Sequence, residues 1–463
     1  MKMSLEDTIT ALSTPVGESG IGIVRMSGGS SFSIAKKIFR PSRGKKIDWT
    51  SSFRTHYGWI VDPEAKKPVD EVLLTLMRAP KTYTREDIVE INCHGGPLPL
   101  RKSLELTLKF GARLAEPGEF TKRAFLKGRI DLSQAESVLD IVQAKTEKDL
   151  EIAMHQLKGD LSGKIDGIKK KMVDLLSYLE AEIDFGYEDI VLLSSQEKES
   201  QLKQILRMID SLLEIGKTSR IYRQGLKTVI IGKSNVGKSS LLNTLLQKDR
   251  AIVSRSPGTT RDTIEEMIII KGFPLWIIDT AGLREVESQV EKEAVRRTQG
   301  KIKEANIILL MVDGSGPLGQ EDESIFRGIE KKKTLVVINK VDLPQKVDKE
   351  RIRYFFPCQQ MVEISATQEI NLAQLKEEIA NFALKEATLP TSNPLIITLR
   401  QQCALELTKQ NVNRALGGLR KKFSEELIAF DLKEGISRLG EITGEVVTDE
   451  ILDQIFSHFC IGK

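Results

Sequence analysis

Cysteine and histidine are scarce in this chain, four of each in 463 residues, and neither is clustered. Cys93, Cys358, Cys403 and Cys460 lie far apart with no CxxC spacing, which argues against a disulfide framework and against a zinc site. His56, His94, His155 and His458 are equally scattered, so no His/Cys metal set is expected. Long apolar runs are missing as well: none approaches the roughly 18 residues that cross a bilayer. A strong excess of one charge is also absent. The formal net charge of +4 permits nucleic-acid binding and does not demand it. The opening "MKMSLEDTIT" lacks the charged-then-apolar layout of a signal peptide, and with the sparse cysteines it points to a reducing cytoplasm. What is present, 40% apolar and 29% charged residues, is the composition of an ordinary globular protein. The length exceeds one core and suggests roughly two to four domains.

The chain closes on "HFCIGK", whose cysteine imitates a prenylation box. A terminal lysine is a poor prenylation signal, and no polybasic stretch precedes it, so no membrane anchor is expected. Thr448–Lys463 reads instead as an amphipathic helix running to the last residues. Docked, it would bring Cys460 and Lys463 toward the N-terminal part of the chain.

The strongest motif is "TVIIGKSNVGKSSLLNTLL". A β-branched run ends at Gly232, and a helix starts at Lys238, which is the strand–GxxxxGKS–helix context of a phosphate-binding loop. Gly232 and Gly237 let backbone N–H groups wrap phosphate oxygens, with Asn235, Val236 and Ser240 in the same loop and helix start. Lys238 would reach the β- and γ-phosphates and Ser239 would ligate Mg²⁺. "LWIIDTAG" ends an apolar strand in Asp279, Thr280, Ala281 and Gly282, where the carboxylate can hold Mg²⁺ through water. "TLVVINKVD" ends another in Asn339, Lys340 and Asp342. The Asp342 carboxylate can accept from both the N1–H and the 2-amino group of guanine, which adenine cannot offer. "VEISAT" ends a third, with Ser365 and Ala366 placed for contacts to the guanine oxygen. This order and spacing match the GTPase family, so GTP is the expected nucleotide. Strands alternate with helical stretches, which predicts a mostly parallel α/β sheet. The exception is "EEMIIIKGFPLWIID", where Lys271-Gly272 joins two strands as a hairpin.

In "SRSPGTTRDT", Thr260 is the natural switch residue, sensing the γ-phosphate through Mg²⁺. Ras-like proteins follow the DxxG motif with a glutamine that positions the attacking water; here that place holds Leu283, which cannot orient water. Hydrolysis therefore needs another group. The Asn235 amide oxygen is a hard ligand suited to a monovalent cation, and K⁺ there can stand where an arginine finger would. Glu285, Glu287 and Glu291 follow as acids able to orient water, or as a solvated helix face.

"GKSNVGKSS", "SPGTTRD", "DTAGLRE", "NKVD" and "FCIGK", together with "GIGIVRMSG", "EINCHGG" and "EPGEFTKRAFLKGRIDLSQAE", resemble the tRNA modification GTPase family MnmE, also called TrmE, over the whole chain. The resemblance implies K⁺-activated GTP hydrolysis with G-domain pairing across a homodimer. It makes Asn235 a K⁺ ligand alongside Ser254, Ser256 and Thr259, and Glu291 the catalytic acid. It implies a tetrahydrofolate derivative, 5-formyl or methylene, bound near Arg25, Glu90, Arg129 and Lys463, with the terminus and Cys460 approaching it. A nucleophilic thiol would need a lowered pKa, which no sequence feature provides, so packing is the alternative role for Cys460. One family turn departs: "GESG" puts Glu18 where a basic residue is usual. The implied activity adds a carboxymethylaminomethyl or aminomethyl group to carbon 5 of the wobble uridine of certain tRNAs. The implied partner is the FAD-containing MnmG (GidA), in a heterotetramer. A ribosome-assembly or RNA-binding switch GTPase with accessory domains shares the G-domain features and is the alternative.

The expected architecture is multidomain. Residues 1–118 read as an α+β unit carried by the short strands "DTITALSTP", "GIGIVRMSG", "DEVLLTLMRAP" and "DIVEINCHGG", with helices in "SSFSIAKKIF" and "LRKSLELTLKFG"; the resemblance implies that this unit binds folate and dimerises. Residues 119–220 and 385–463 read as two halves of one all-α helical domain. A Ras-like α/β P-loop G domain, 221–384, is inserted between them.

Overall fold

The computed structural model describes residues 7–42, 46–184, 193–249, 265–278, 302, 304–329, 333–387, 395 and 397–463. These residues divide into two compact units. One contains the stretches up to Leu139, Gln156–Leu192 and Lys421–Lys463; the other contains Asp140–His155 and Leu193–Arg420.

The first unit is built on a seven-stranded sheet: β1 (Ile9–Leu12), β2 (Gly22–Ser27), β3 (Phe39–Pro41), β4 (Arg54–Asp62), β5 (Lys67–Met77), β6 (Ile88–Cys93) and β7 (Arg113–Leu114). The spatial order is β3-β4-β5-β6-β2-β1-β7. All pairings are antiparallel except β1 with β7. Alternation sends Val24 and Met26, Leu74 and Leu76, Val89 and Ile91 to one face. Helices Ser31–Ile38 and Pro97–Lys109 cover that face with Ile34, Ile38, Leu100 and Leu106. Each fully buried Leu or Ile of this layer contributes about 1.5–3 kcal/mol. Pro97 stands at the first turn of its helix, where a missing N–H costs nothing. Helices Glu119–Leu126 and Leu132–Gln143 follow. The long helix Asp160–Asp184 buries Leu161, Ile165, Ile168, Met172, Leu175 and Leu179, spaced three and four apart, and packs on Glu425–Thr443. Ion pairs Lys169–Glu445 and Glu180–Lys433 run in opposite sequence directions, so the two helices are antiparallel.

The second unit holds a six-stranded sheet: β8 (Leu226–Ile231), β9 (Glu265–Ile270), β10 (Phe273–Ile278), β11 (Ile307–Asp313), β12 (Thr334–Asn339) and β13 (Met361–Glu363). Its order is β13-β12-β11-β8-β10-β9, with every pair parallel but β9–β10. The expected hairpin is there: Lys271 and Gly272 both take positive φ, 50° and 85°, as a two-residue turn between twisted strands requires. β11 and β12 are apolar almost throughout because helices flank both faces. Those helices include Lys238–Asp249, Gln320–Gly328, Lys349–Phe355 and Leu372–Ala387. Helix Ser195–Gln224 packs on Leu399–Arg420, joined by Asp210–Lys409 and Glu199–Arg420. Ile152, on helix Glu147–Leu157, belongs to this unit's core. Among the described residues no helix is long and apolar enough to cross a membrane.

The C-terminal segment departs from its expected form. The last helix spans Asp449–Phe456, not Thr448 to the terminus, and Ser457–Lys463 is non-helical. Phe456 and Phe459 are both buried in one cluster, which holds the start of the tail against the helices Glu119–Leu126 and Leu132–Gln143. Beyond them the tail carbonyls have partners outside their own segment: Cys460 O accepts from the Gly118 N–H and Lys463 O from the Phe120 N–H. A continued helix would turn these carbonyls along its own axis.

Candidate functional site

Each unit brings together one group of the residues singled out above. In the second, β8 runs out at Ile231 and the chain loops through Gly232–Gly237 into helix Lys238–Asp249. The loop lies so close to β11 that a Cβ on Gly232 would fall 2.4 Å from the Met311 carbonyl oxygen. A Cβ on Gly237 would fall 2.2 Å from Asn339 Nδ2, at φ +100°. Asn235 takes φ +63°, a conformation that Asn tolerates better than most residues, and its side chain is exposed. The Lys238 ammonium donates to the carbonyls of Gly232 and Lys233, at 2.8 and 2.7 Å. Burial lowers its pKa. Ser239 is exposed on the first helical turn beside it, and Ser240 accepts a backbone bond from the Thr244 hydroxyl.

Asn339 joins three segments. Its Nδ2 donates to Val236 O at 2.7 Å, and its Oδ1 accepts from the Ala366 N–H at 2.9 Å. One buried amide thus ties the loop after β8 to the loop after β13. The next residue, Lys340, takes φ +68° and donates from Nζ to Asp313 Oδ2 at 2.6 Å. Burial alone would raise the Asp313 carboxyl, but hydrogen bonds from Lys340 and Ser315 outweigh it and hold the carboxyl below the usual range. Ser365 is fully buried; its Oγ accepts from the Gln368 N–H at 3.1 Å. The Ala366 carbonyl accepts from Thr244 Oγ1 at 3.1 Å. Asp342 is exposed at the tip of its turn, where a carboxylate can receive an incoming ligand's N–H groups. Gly232, Asn235, Val236, Gly237, Lys238, Ser239, Ser240, Asn339, Lys340, Asp342, Ser365 and Ala366 therefore surround one edge of the sheet, at the C-terminal ends of its parallel strands. That is where open α/β sheets bind ligands. Ser254, Ser256, Thr259, Thr260, Asp279, Thr280, Ala281, Gly282, Leu283, Glu285, Glu287 and Glu291 lie outside the described residues.

In the first unit the strand register makes the site. Antiparallel β2 and β6 place Arg25 directly opposite Glu90, and Arg25 Nε donates to Glu90 Oε1 at 2.7 Å. Arg25 Nη2 meets the same oxygen at 2.7 Å, so the guanidinium does not take up Oε2. Arg25 Nη1 donates to the Gly462 carbonyl at 3.1 Å, and the Ser13 hydroxyl donates to the same oxygen at 3.2 Å. The Arg129 guanidinium lies over the Tyr83 ring, 4.6 Å from its centroid. Burial pushes the Tyr83 phenol up, and its hydroxyl pairs with Thr121 at 3.0 Å. Cys460 and Lys463 are exposed at their side chains, while their carbonyls anchor the tail. Arg25, Glu90 and the tail therefore meet. Glu18 is exposed in its turn, where Ser19 Oγ donates to Ile21 O at 2.9 Å.

Sequence reasoning missed Tyr83, Phe120, Gly118 and Gly462. The Arg25 guanidinium lies 5.8 Å from the Phe120 ring centroid. Gly462 takes φ +95°, and a Cβ there would fall 2.2 Å from Leu12 O. A second miss lies behind the site. Arg123 is fully buried among Asp7, Glu86 and Glu119, with Arg113 bridging Asp7 and Glu119. In the string, "EFTKRAFL" offers only an i,i+4 Glu–Arg pair as a signal.

Comparison with known proteins covers nearly the entire chain. Residues 8–129 match the family model described as the GTP-binding protein TrmE N-terminus, and residues 132–460 match the MnmE helical domain. A protein of Desulforamulus reducens named tRNA modification GTPase MnmE is 46% identical over 460 residues, covering 99% of this chain and 100% of its own. One of the same name from Thermoanaerobacter pseudethanolicus is 47% identical over 457 residues, 99% of each chain.

Proposed function

The chain belongs to the tRNA modification GTPase MnmE family, and from that premise we propose how its two sites divide the work. It is a P-loop GTP hydrolase acting in tRNA modification. The observation that carries the reading is the Asn339 amide, which joins the loop Gly232–Ser239 to Ala366 and so organises a nucleotide site from motifs distant in sequence.

In this reading Gly232–Ser240 hold the phosphates, with Lys238 on the β- and γ-phosphates. Asn339, Lys340, Asp342, Ser365 and Ala366 hold guanine. The exposed Ser239 hydroxyl is a hard oxygen fit for Mg²⁺, with Thr260 as the second protein ligand. The exposed Asn235 amide is fit for K⁺, with Ser254, Ser256 and Thr259 completing the set. Bound K⁺ would supply positive charge where negative charge develops on the transferring phosphoryl group. Glu291 orients the attacking water, the task that Leu283 cannot perform, and Asp279, Thr280, Ala281 and Gly282 sense the γ-phosphate. The domain division at residues 118, 220 and 384 belongs to the same reading.

The second site takes a tetrahydrofolate derivative. Basic Arg25, Arg129 and Lys463 suit its glutamyl carboxylates, and Glu90, whose Oε2 is left by Arg25, suits the pterin N–H donors. Tyr83 and Phe120 offer aromatic faces beside the two arginines. When bound, the folate would supply a one-carbon unit for carbon 5 of the wobble uridine, with an FAD-containing partner and in a homodimer of this chain. Cys460 is the candidate catalytic thiol.

The test of the G-domain half is GTP turnover by the full chain in K⁺ and in Na⁺. A severe loss in Na⁺ supports the role of Asn235; equal rates in the two salts remove it. The test of the other half is binding of 5-formyltetrahydrofolate to the full chain, which Arg25→Ala should abolish. Undiminished binding by that variant rejects the site.

A further inference from the structure

One ion pair ties the phosphate-binding loop to a buried carboxylate, Asp322, that falls in none of the nucleotide motifs. Asp322 lies in the first turn of helix Gln320–Gly328, with its side chain 3% exposed. Its Oδ2 accepts from the Gly319 N–H at 2.9 Å and from Lys233 Nζ at 2.9 Å. Lys233 is the second residue of the loop, and its own carbonyl accepts from Lys238 Nζ at 2.7 Å. We propose that Asp322 is a positioning residue for the phosphate-binding loop, acting through Lys233. The proposal rests on the reading of Gly232–Ser239 as that loop.

Three features distinguish this pair from an ordinary surface salt bridge. The carboxylate is nearly shut off from water, so solvent cannot replace its partner as it can at an exposed pair. The helix that carries it is anchored: Phe326 is buried and meets Phe355 and Phe356 edge-on, with ring centroids 5.5 and 5.4 Å apart. Asp322 is thereby held on the rigid side of the contact and Lys233 on the adaptable side. Finally, the two ammonium groups of the loop have separate destinations. Lys233 is drawn back to the helix, and its carbonyl is left aimed at Lys238. Without Asp322, the Lys233 ammonium loses its partner and the carbonyl that orients Lys238 loses its restraint.

GTP titrations of turnover by the full chain decide the matter. Asp322→Asn and Lys233→Met should each raise KM for GTP about tenfold, the share of a charge-assisted hydrogen bond transmitted to binding. kcat should stay within about twofold, as for an interaction made equally in ground and transition states. Lys233→Arg should retain the wild-type KM. The double variant should be no worse than either single one, because both remove the same contact. Wild-type or lowered KM in Lys233→Met, or additive effects in the double variant, overturns the proposal. Should Asp322→Asn fail to fold, Lys233→Met and Lys233→Arg decide alone, since Lys233 is partly exposed. Lys238→Ala is the control for the underlying reading. If it binds GTP as the wild type does, the loop assignment fails; if it does not and Lys233→Met is normal, only the role of Asp322 fails.

Discussion

Replacing Gly462 by alanine should undock the C-terminal tail without unfolding the unit that carries it. The magnitude follows from two costs. At φ +95° a Cβ costs about 1–2 kcal/mol on conformational grounds alone. The same Cβ would sit 2.2 Å from the Leu12 carbonyl oxygen and 3.0 Å from Ser13 Cα. Leu12 is in β1, held by its pairing with Val24 of β2, so the strand cannot yield and the tail must. Moving the tail breaks the hydrogen bond from Arg25 to the Gly462 carbonyl, a charge-assisted contact of about 1.5–3 kcal/mol. Together these amount to roughly 2.5–5 kcal/mol, or a docking equilibrium weakened about 10²- to nearly 10⁴-fold. Phe456 and Phe459 stay in their cluster, so the helix Asp449–Phe456 remains in place. Hydrogen exchange reads the outcome directly. The Gly118 and Phe120 amides donate to the carbonyls of Cys460 and Lys463, and both should exchange much faster in Gly462→Ala. Gly417→Ala serves as the control, since nothing lies within 4 Å of its added Cβ. Wild-type protection of Gly118 and Phe120 in Gly462→Ala would refute the docking argument.

Other expectations follow from the same geometry. Asn339→Ala should weaken GTP binding by at least about thirtyfold in an equilibrium titration, because Val236 O and the Ala366 N–H are both left buried without their partner. Arg123→Met should cost up to about 3–5 kcal/mol in chemical denaturation, since it removes the buried cation shared by Glu86 and Glu119 and leaves each carboxylate one cation, Lys127 and Arg113 respectively. Burial alone would raise the carboxyls of Asp7 and Glu119, but Arg113 and Arg123 outweigh it and hold both below their ordinary values of 3.8 and 4.5. Their contribution is therefore fully present above pH 4.5 and lost as pH falls through the lowered values, so wild-type stability should fall steeply below pH 4.5 and that of Arg123→Met less so. Burial pushes the Cys93 thiol up to about 11, so a thiol reagent at pH 8 should modify exposed Cys358, Cys403 and Cys460 in the native chain and spare Cys93.

The nucleotide site was legible in the sequence because its motifs have mechanical requirements at fixed spacing. The glycines at 232 and 237 are needed where β11 and Asn339 approach, and the hairpin at Lys271-Gly272 needs two positive φ angles. The role of Asn339 as a bridge was not legible, since no spacing tells that its amide would meet Val236 and Ala366. The first unit was harder. β4, "RTHYGWIVD", was not anticipated: its outward side carries Tyr57 and Trp59, both substantially exposed, and Gly58 interrupts it. That glycine lies where a Cβ would fall 2.3 Å from the Arg40 carbonyl oxygen, a long-range reason invisible in a local pattern. In the tail, the amphipathic spacing predicts a helix to the last residues, but the helix stops at Phe456. The tail carbonyls find partners on segments more than 300 residues away in sequence, and periodicity does not encode such contacts.

The most direct test of the account is mass spectrometry of wobble-uridine nucleosides in tRNA from cells lacking this protein, complemented with the wild-type chain or with Lys238→Ala. The account predicts that the deletion removes the modification at carbon 5, that the wild type restores it, and that Lys238→Ala does not. Unchanged nucleosides in the deletion strain, or full restoration by Lys238→Ala, would contradict a modification driven by GTP at the loop Gly232–Ser239.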